Sequence, residues 1–426
     1  MVYTLKNGYL MLDKIEKLDL LIDDGKIALI DEDINEGEII DCSGLLIAPG
    51  FIDPHCHLRE PGFTDSETIK TGSMAACHGG YTQVFAMPNT NPIISTKEDV
   101  DNLNEIIKRD SLIGIYPLAS ITKDEKSQEL TDFDSLDVIG FSDDGKPVLS
   151  SKLMYEAMIK AHDKAIICHC EDLDLVDEGI FNDCEFTREN NYRVNLDISE
   201  STMVARDLVI AMKTKAHYHV CHMATKESLE LIKFYKKRGC NVTVEVTPHH
   251  LLLNDSMLKD DPNYKMNPPI RRQEDQEALI LGLVNGDIDM ISTDHAPHSE
   301  NKKNKPLAEA AFGIVGLETA FSLLYTKLVK TGILPLVRLL NLMSLNVAKA
   351  FHIRDNEIIV GNHANLVILD LDNEYTIDKN KFLSKGRNTP FDGEKCYGIV
   401  KKTIYKGAIV YESEKTSIKQ WSRILW

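Results

Sequence analysis

Asp53-Pro-His-Cys-His-Leu-Arg-Glu-Pro-Gly62 is the stretch from which the rest of the chain can be interpreted. It follows an apolar run, Leu45-Leu-Ile-Ala-Pro-Gly-Phe-Ile52, that is typical of a buried strand. Because side chains alternate between the two faces of a strand, His55 and His57 share one face and Cys56 points away. Two imidazoles placed in this way at a strand end can hold one metal ion.

Two further residues of this stretch have the same parity as the histidines. Arg59 lies beyond the strand, where a guanidinium could hold a carboxylate; a surface salt bridge to Glu60 is the alternative. Asp53 could orient an imidazole, or it could be an ordinary buried, hydrogen-bonded acid. The stretch therefore predicts a metal site with an anion site beside it.

Length and charge limit the class of protein. The 426 residues predict one large domain with a smaller appendage, and the hydrophobic content of 43% and charged content of 27% are normal for a globular protein. The formal net charge of -18 argues against non-specific binding to nucleic acid. An anionic substrate would need a local cationic site, because the overall charge repels it.

The cysteines and the apolar runs predict a reduced, cytoplasmic protein that does not contact a membrane. The nine cysteines are an odd number without disulfide-like spacing, no signal-peptide core is evident near the N-terminus, and no apolar run is long enough to span a bilayer. Four cysteines stand next to histidines on predicted strands and should face away from them as small buried fillers. These are Cys56, Cys168, Cys170 and Cys221.

Strand-like and helix-like segments alternate through the middle of the chain. Eight β-rich runs predict a closed parallel (β/α)8 barrel; an open doubly wound sheet is the rival, but no Gly-rich dinucleotide loop follows a strand. The runs lie near 46–57, 82–88, 112–118, 137–142, 165–170, 217–222, 242–247 and 288–293. The predicted helices are Ser66–His78, Lys97–Arg109, Ser151–His162, Ser201–Thr214, Thr225–Arg238 and Glu274–Asn285.

Both ends of the chain contain short strands instead. An Asp24-Gly25 turn predicts an N-terminal hairpin, and residues 364–370, 398–405 and 408–411 are strand-like. We therefore expect a small β-sandwich domain built from residues 1–48 and 352–426, beside a barrel of residues 49–351. Two connections, 171–200 and 299–313, are long enough to form lids or walls, and the lysines at 302–305 are interpreted as solvated loop charges.

Polar residues gather at the carboxyl ends of the predicted strands, where barrel active sites lie. Four histidines with two acids on other strands suit a pair of divalent ions, zinc above all. Such ions can activate water and polarise a carbonyl, which indicates hydrolysis, or its reverse, at an amide-like carbon. Four other histidines are interpreted as structural: His217, His219, His249 and His250.

Four blocks occur in order along nearly the whole chain. They are residues 53–62, Met87-Pro-Asn-Thr-Asn-Pro92, Lys265-Met-Asn-Pro-Pro-Ile-Arg271 and Thr293-Asp-His-Ala-Pro-His298. Together they resemble dihydroorotase of the amidohydrolase superfamily, and more narrowly its long, type I branch. The resemblance implies the barrel, the flanking β domain, two zinc ions with a bridging hydroxide, and the reversible closure of N-carbamoyl-L-aspartate to L-dihydroorotate in pyrimidine synthesis.

The resemblance also implies roles for individual residues. Asp294 would be both a metal ligand and the general acid/base. The implied ligands are His55, His57 and Asp294 for one ion, His169 and His222 for the other, and Asp144 as the bridge, where many relatives carry a carboxylated lysine. The implied substrate contacts are Arg59, Asn89 and His298 for the carboxylate, and Asn267, Phe312 and Gly313 for the ring.

Several alternatives stay open at this point. The bridge could instead be Asp143 or a carboxylated Lys146, and Asn89 and Asn267 could simply be turn residues. The chain could be a hydantoinase or allantoinase, relatives that usually lack an arginine at position 59, or a non-catalytic scaffold, although such proteins typically lose metal ligands. A homodimer is also left open.

Overall fold

A parallel barrel forms the centre of the molecule, which is described here from a computed structural model covering residues 1–413. Residues 414–426 of the predicted β domain lie outside the described part. The strands are β1 (Tyr3–Lys6), β2 (Tyr9–Met11), β3 (Ile15–Lys17), β4 (Asp19–Asp23), β5 (Lys26–Asp31), β6 (Glu38–Asp41), β7 (Leu46–Pro49), β8 (Phe51–Cys56), β9 (Tyr81–Ala86), β10 (Gly114–Ala119), β11 (Gly140–Ser142), β12 (Ala165–Cys168), β13 (Tyr218–Val220), β14 (Val242–Val246), β15 (Met290–Ile291), β16 (Leu366–Asp370), β17 (Tyr375–Thr376), β18 (Lys395–Cys396), β19 (Ile399–Tyr405) and β20 (Ala408–Glu412).

The helices mostly follow barrel strands, as the alternating pattern predicts. They are α1 (Ile69–His78), α2 (Lys97–Asp110), α3 (Ser151–Lys160), α4 (Leu173–Val176), α5 (Glu185–Glu189), α6 (Ile198–Thr214), α7 (Lys226–Lys236), α8 (Pro248–Leu252), α9 (Gln273–Asn285), α10 (Glu300–Lys303), α11 (Ala320–Leu324), α12 (Leu336–Leu342) and α13 (Leu345–Ala350). Several begin at a hydroxyl cap, such as Thr68 before α1 and Thr225 before α7, which satisfies a free N–H of the first turn. In residues 1–413 no helix is long and apolar enough to cross a bilayer.

Strands β8 to β15 pair in sequence order as an eight-stranded parallel sheet, which confirms the predicted barrel. The sheet closes where Cys56 forms a parallel bridge with His295, and the His57 N–H donates to the His295 carbonyl at 2.9 Å. The Asp53 carboxylate reinforces this closure by accepting from the backbone N–H of Thr293 at 3.0 Å. The carboxyl ends of the first and last strands are thereby fixed side by side.

Two further sheets form the β unit beside the barrel. One has the order β5-β4-β1-β6 and the other β20-β19-β16-β7-β2-β3. In the second sheet β7 pairs parallel with β2 and antiparallel with β16, so both ends of the described chain share one sheet, as predicted. The Asp24-Gly25 turn joins β4 to β5 with φ of +46° and +77°.

The predicted run 46–57 is two strands in the structure. Strand β7 belongs to the β unit and β8 to the barrel, with Gly50 between them. A Cβ on Gly50 would lie 2.3 Å from the side chain of Thr82, so the chain crosses between the two units where only glycine fits. The exact domain limits at 48/49 and 351/352 stay a prediction.

The barrel interior is filled with apolar side chains below the strand ends. Ile52, Phe85, Ile167 and Met290 belong to one buried cluster, and all are 2% exposed or less. A packed interior of this kind leaves room for chemistry only at the ends of the barrel. The candidate functional residues described next lie at its carboxyl end.

Candidate metal centre

Three of the predicted ligands meet where the barrel closes. His55 and His57 come from the end of β8, and Asp294 follows β15. The Nε2 atoms of His55 and His57 lie 3.6 Å and 3.2 Å from Oδ1 of Asp294. All three side chains are buried, and their ligand atoms lie within 4.8 Å of one another. They form one group that could hold a divalent ion.

A second group lies beside the first. His169 follows β12 and His222 follows β13, and Nδ1 of His169 lies 3.0 Å from Nε2 of His222. The Nε2 atom of His169 faces the Glu171 carboxylate at 3.3 Å and the Asn267 amide nitrogen at 3.2 Å. The outer nitrogen of the ring is therefore engaged, and Nδ1 is the atom presented to the group.

Asp144 lies between the two groups. Its Oδ1 is 3.3 Å from Nε2 of His55 and 3.8 Å from Nε2 of His222, and its Oδ2 is 3.4 Å from Nε2 of His57. Its neighbour Asp143 faces away and accepts from the backbone N–H of Thr122 at 3.0 Å. Lys146 also stays outside, with its ammonium 3.3 Å from Glu125. Of the three candidates for the bridge, the structure brings only Asp144 into the cluster.

The donor set fits a pair of divalent ions. Nε2 of His55 and Oδ1 of Asp144 are buried, and neither has a hydrogen-bond partner among residues 1–413. Burial alone would raise the pKa of Asp144, but the imidazoles of His55 and His222 hold it well below its usual range. Imidazole nitrogens and ionised carboxylates around an otherwise unsatisfied space are the ligands that zinc takes in proteins.

Glu245 orients the first histidine, a role that the sequence analysis missed. Its Oε1 lies 2.8 Å from Nδ1 of His55, and its Oε2 lies 3.1 Å from Nε2 of His219. A carboxylate on Nδ1 fixes the proton there and leaves Nε2 free to bind a metal. The sequence does contain one signal for this role. Glu245 stands within the strand Val242–Val246, and burial of an acid in such a strand is costly unless the acid is paired.

Asn89 contacts Nδ1 of His57, as Glu245 contacts Nδ1 of His55. Its Oδ1 lies 3.0 Å from Nδ1 of His57, and its Nδ2 lies 3.3 Å from Oδ2 of Asp144. The amide therefore contacts two predicted ligands at once. A substrate contact, the predicted role, would have to be made in addition to these bonds.

Three residues of the site have left-handed backbone conformations. The φ angles are +59° at Arg59, +29° at His222 and +47° at Asp294. Side chains other than glycine adopt this region at a cost of about 1–3 kcal/mol each, and such residues cluster at functional sites. At His222 this turn also ends the alternation of β13, because the strand stops at Val220.

The alternation fails at Cys221 for this reason. The prediction that its thiol faces away from the histidines is wrong, because it lies with His55 and Asp144 in a group of ligand atoms within 4.8 Å. Cys56, Cys168 and Cys170 pack in the outer core as predicted. All nine cysteines are buried and unpaired.

The cationic and aromatic residues predicted to bind substrate surround the mouth of the site. Nε of Arg59 donates to the Pro297 carbonyl at 3.2 Å, and in the described chain the guanidinium has no ion-pair partner. Glu60 is not that partner, because it accepts from the N–H of Ile69. Nε2 of His298 donates to the Phe312 carbonyl at 2.6 Å.

Two other predicted contacts also lie at the mouth. The Nδ2 atom of Asn267 contacts His169 and Glu171, whereas its buried Oδ1 has no partner among residues 1–413. Gly313 has a φ of +120°, and a Cβ there would lie 2.6 Å from Cβ of Ala296. Glycine is therefore required where this segment passes the end of the last strand.

Asn388 is a further residue of the mouth that sequence reasoning missed. Its Oδ1 accepts from the N–H of His298 at 3.2 Å, and its Nδ2 donates to the carbonyls of Ala296 at 2.9 Å and Gly313 at 3.0 Å. It lies in the part of the chain assigned to the β domain, and no local sequence signal marks it.

The four histidines interpreted as structural lie outside the three groups of possible ligands in residues 1–413. His250 bonds to Thr247 and to the Pro268 carbonyl, and His217 bonds to Thr243. His249 is buried, and burial lowers its pKa to about 4. Neither His249 nor His250 joins the ligand groups.

The chain is similar to known proteins along almost its whole length. A family model described as dihydro-orotase-like matches residues 44–228. The dihydroorotase of Bacillus pumilus (strain SAFR-032) is 46% identical over 422 residues, 97% of this chain and 99% of that protein. That of Listeria monocytogenes serotype 4b (strain F2365) is 45% identical over 420 residues, 96% and 99% of the two chains. The structure of L-hydantoinase (dihydropyrimidinase) from Arthrobacter aurescens is similar with a TM-score of 0.87 at 25% identity, covering 97% and 96% of the two chains.

Proposed function

Because the chain belongs to the dihydroorotase family of metal-dependent cyclic amidohydrolases, we propose that it binds two zinc ions at the centre described above. Its reaction is the reversible closure of N-carbamoyl-L-aspartate to L-dihydroorotate, a step of pyrimidine synthesis. His55, His57 and Asp294 would hold one ion, and His169 and His222 the other. Asp144 would bridge them, and its position between the two groups supports this role.

The substrate assignment rests on one observation, the lack of an acidic partner for the Arg59 guanidinium among residues 1–413. This group stands beside the metal ligands without an acidic partner in the described chain. Burial lowers its pKa, and the nearby Asp294 and Asp144 carboxylates oppose that shift. A carboxylate on the substrate ring would supply the missing partner. A hydantoin ring without a carboxylate gives no reason for an arginine in this place.

When bound, the two ions would supply the Lewis acidity that lowers the pKa of a water molecule and polarises the amide carbonyl. Asp294 supplies the proton transfer. Burial alone would raise the pKa of its carboxyl, but the hydrogen bond from His57 and the charge of His55 outweigh burial, and the net pKa is lowered. The group is therefore an ionised carboxylate, the form that can accept a proton.

In ring closure, Asp294 takes a proton from the ureido nitrogen as that nitrogen forms a bond to the carboxyl carbon of the substrate. The carbon–oxygen bond then breaks, and the departing oxygen takes this proton from Asp294 and a second proton from the solvent, so that it leaves as water. In hydrolysis Asp294 takes the proton from water and returns it to the ring nitrogen. One carboxylate can act in both directions because the chemistry is reversible.

The remaining residues would orient the ring. Arg59, Asn89 and His298 would meet its carboxylate, and the unpartnered Oδ1 of Asn267 could accept from a ring N–H. The backbone at Phe312 and Gly313 would complete the contact. The substrate is a small anion, and a net charge of -18 remains an argument against nucleic acid as a partner. We propose a reduced, cytoplasmic setting on the strength of nine buried free thiols; a homodimer stays a prediction.

Arg59→Met tests the assignment. The loss of a charge-assisted contact should raise KM for dihydroorotate about ten- to hundredfold in an ultraviolet assay. Arg354→Met, which removes an exposed arginine, is the matched control. A KM unchanged by Arg59→Met, or turnover of a hydantoin in preference to dihydroorotate, would contradict the assignment. Activity that survives complete removal of metal would contradict the metal role.

A further inference from the structure

The segment after β15 is fixed by a buried ammonium group. Lys303 ends α10 and is 5% exposed, so the prediction that the lysines at 302–305 are all solvated is wrong at this position. Its Nζ donates to the carbonyls of Lys265 at 2.9 Å, Ala311 at 2.9 Å and Gly313 at 2.8 Å. Lys302 pairs with Asp65 at the surface, and Lys305 is exposed.

Three carbonyl acceptors around one nitrogen match the charged form of lysine. An ammonium has three N–H donors, whereas a neutral amine has two. Within residues 1–413 Lys303 has no ion-pair partner, so its hydrogen bonds all go to backbone carbonyls. Burial and the neighbouring Lys265 lower the pKa of Lys303 to about 7, and the Asp261 carboxylate opposes this. A position used only for packing would be expected to hold an apolar residue.

The groups that Lys303 holds belong to the mouth of the site. Gly313 also accepts from Nδ2 of Asn388 at 3.0 Å, and its own N–H donates to the Lys265 carbonyl at 3.0 Å. The Lys265 peptide lies two residues before Asn267. The ammonium therefore joins the backbone of two segments that approach the ligand groups from different directions.

A second buried lysine reinforces the connection from the other side. Lys265 is 2% exposed, and its Nζ donates to the carbonyls of Leu307 at 2.7 Å and Ala308 at 3.0 Å. The same Nζ lies 4.4 Å from the ring centroid of Phe312. The two lysines thus cross: the Lys303 side chain reaches the backbone of Lys265, and the Lys265 side chain reaches the loop between Lys303 and Gly313.

We propose that Lys303 is a positioning residue for substrate binding. It holds the Gly313 peptide and the segment that carries Asn267 at the separation that lets both contact the substrate ring. It contacts none of the predicted metal ligands, so its effect should fall on substrate affinity and leave the metal centre intact. The inference rests on the proposed function, because it assumes that Gly313 and Asn267 contact the ring.

Lys303→Met is the first test, because methionine fills a similar volume without the three donors. KM for dihydroorotate should rise about tenfold while kcat changes less than about threefold, and the zinc content per chain should equal that of the wild type. Lys305→Met is the matched control, since it removes an exposed lysine two residues away. Its KM should not change.

Lys303→Ala provides a second test that does not depend on how methionine packs. Added propylammonium should restore the low KM, whereas 1-propanol should not, because only the cation supplies three donors. An unchanged KM in both variants would overturn the inference. So would equal rescue by 1-propanol, or failure of both variants to fold even with the amine, which would show a role in stability alone.

The result separates this inference from the proposed function. A wild-type enzyme that does not turn over dihydroorotate would overturn the proposed function, and the inference with it. An active wild type whose Lys303→Met variant behaves like Lys305→Met would overturn the inference alone.

Discussion

At the scale of single residues, Glu245 and His55 form a buried pair, with Oε1 of the acid 2.8 Å from Nδ1 of the imidazole. The sequence predicts that the candidate metal ligands lie together, but it does not predict this pairing. Parity placed His55 and His57 on one face, and the strand ends placed His169 and His222 nearby. Glu245 reaches His55 across 190 positions, and no spacing rule indicates such a contact. Cys221 was placed wrongly because the strand ends one residue earlier than the alternation requires.

Glu245→Gln should weaken metal binding. The amide can still accept from Nδ1 of His55, but it lacks the charge that favours a strongly coordinating Nε2. We expect a loss of about tenfold or more in zinc affinity, measured by competition with a chromogenic chelator. Glu227→Gln changes an exposed glutamate on α7 and should leave the affinity unaltered. Equal affinities in the two variants would contradict the orienting role.

At the scale of elements, the order of strands and helices followed from hydrophobic periodicity. The predicted helix over 97–109 is Lys97–Asp110 in the structure, and that over 274–285 is Gln273–Asn285. The boundaries were less accurate at β15, which has only the two residues Met290–Ile291. Its partners are set by barrel closure, a long-range condition that a short window of sequence does not contain.

Asp53→Ala should weaken the closure between β8 and the segment after β15. The carboxylate accepts from the N–H groups of His55 and Thr293, and both would be buried without an acceptor. Each unpaired group costs about 1–3 kcal/mol, so the free energy of unfolding should fall by several kcal/mol in urea denaturation. Asp163→Ala, at an exposed acid, is the control. A variant as stable as this control would show that closure does not depend on Asp53.

At the scale of the whole molecule, the C-terminal part of the chain reaches the candidate site. Asn388 lies between β17 and β18, which pair as a separate two-stranded sheet, and its amide contacts Ala296, His298 and Gly313 at the barrel mouth. Strand-like runs and turn signals predict the β unit, but they do not predict that the connection between β17 and β18 extends to the barrel mouth. Such a contact depends on how parts of the chain that are far apart in sequence pack together, which local sequence patterns do not contain.

Removal of metal should destabilise the whole chain. Ligands that bind only the folded state stabilise it by mass action, by about 2.7 kcal/mol at a hundredfold excess over Kd. Stripping with a chelator should lower Tm by about 5 °C or more, and added zinc should restore it, as measured by calorimetry. Asp144→Ala should respond much less to either treatment. A wild-type Tm that is unchanged although the metal has been removed would contradict this coupling.

The contacts of Asn388 at the barrel mouth have a consequence for folding during synthesis. Strand β7 is synthesised early but pairs with β16, and the barrel mouth is completed only by residue 388, which leaves the ribosome after every predicted metal ligand. A nascent chain that has already formed its barrel is therefore still without a finished mouth. Translation that stops before residue 388 would release a protein that has all its predicted metal-binding residues but an incomplete substrate-binding mouth.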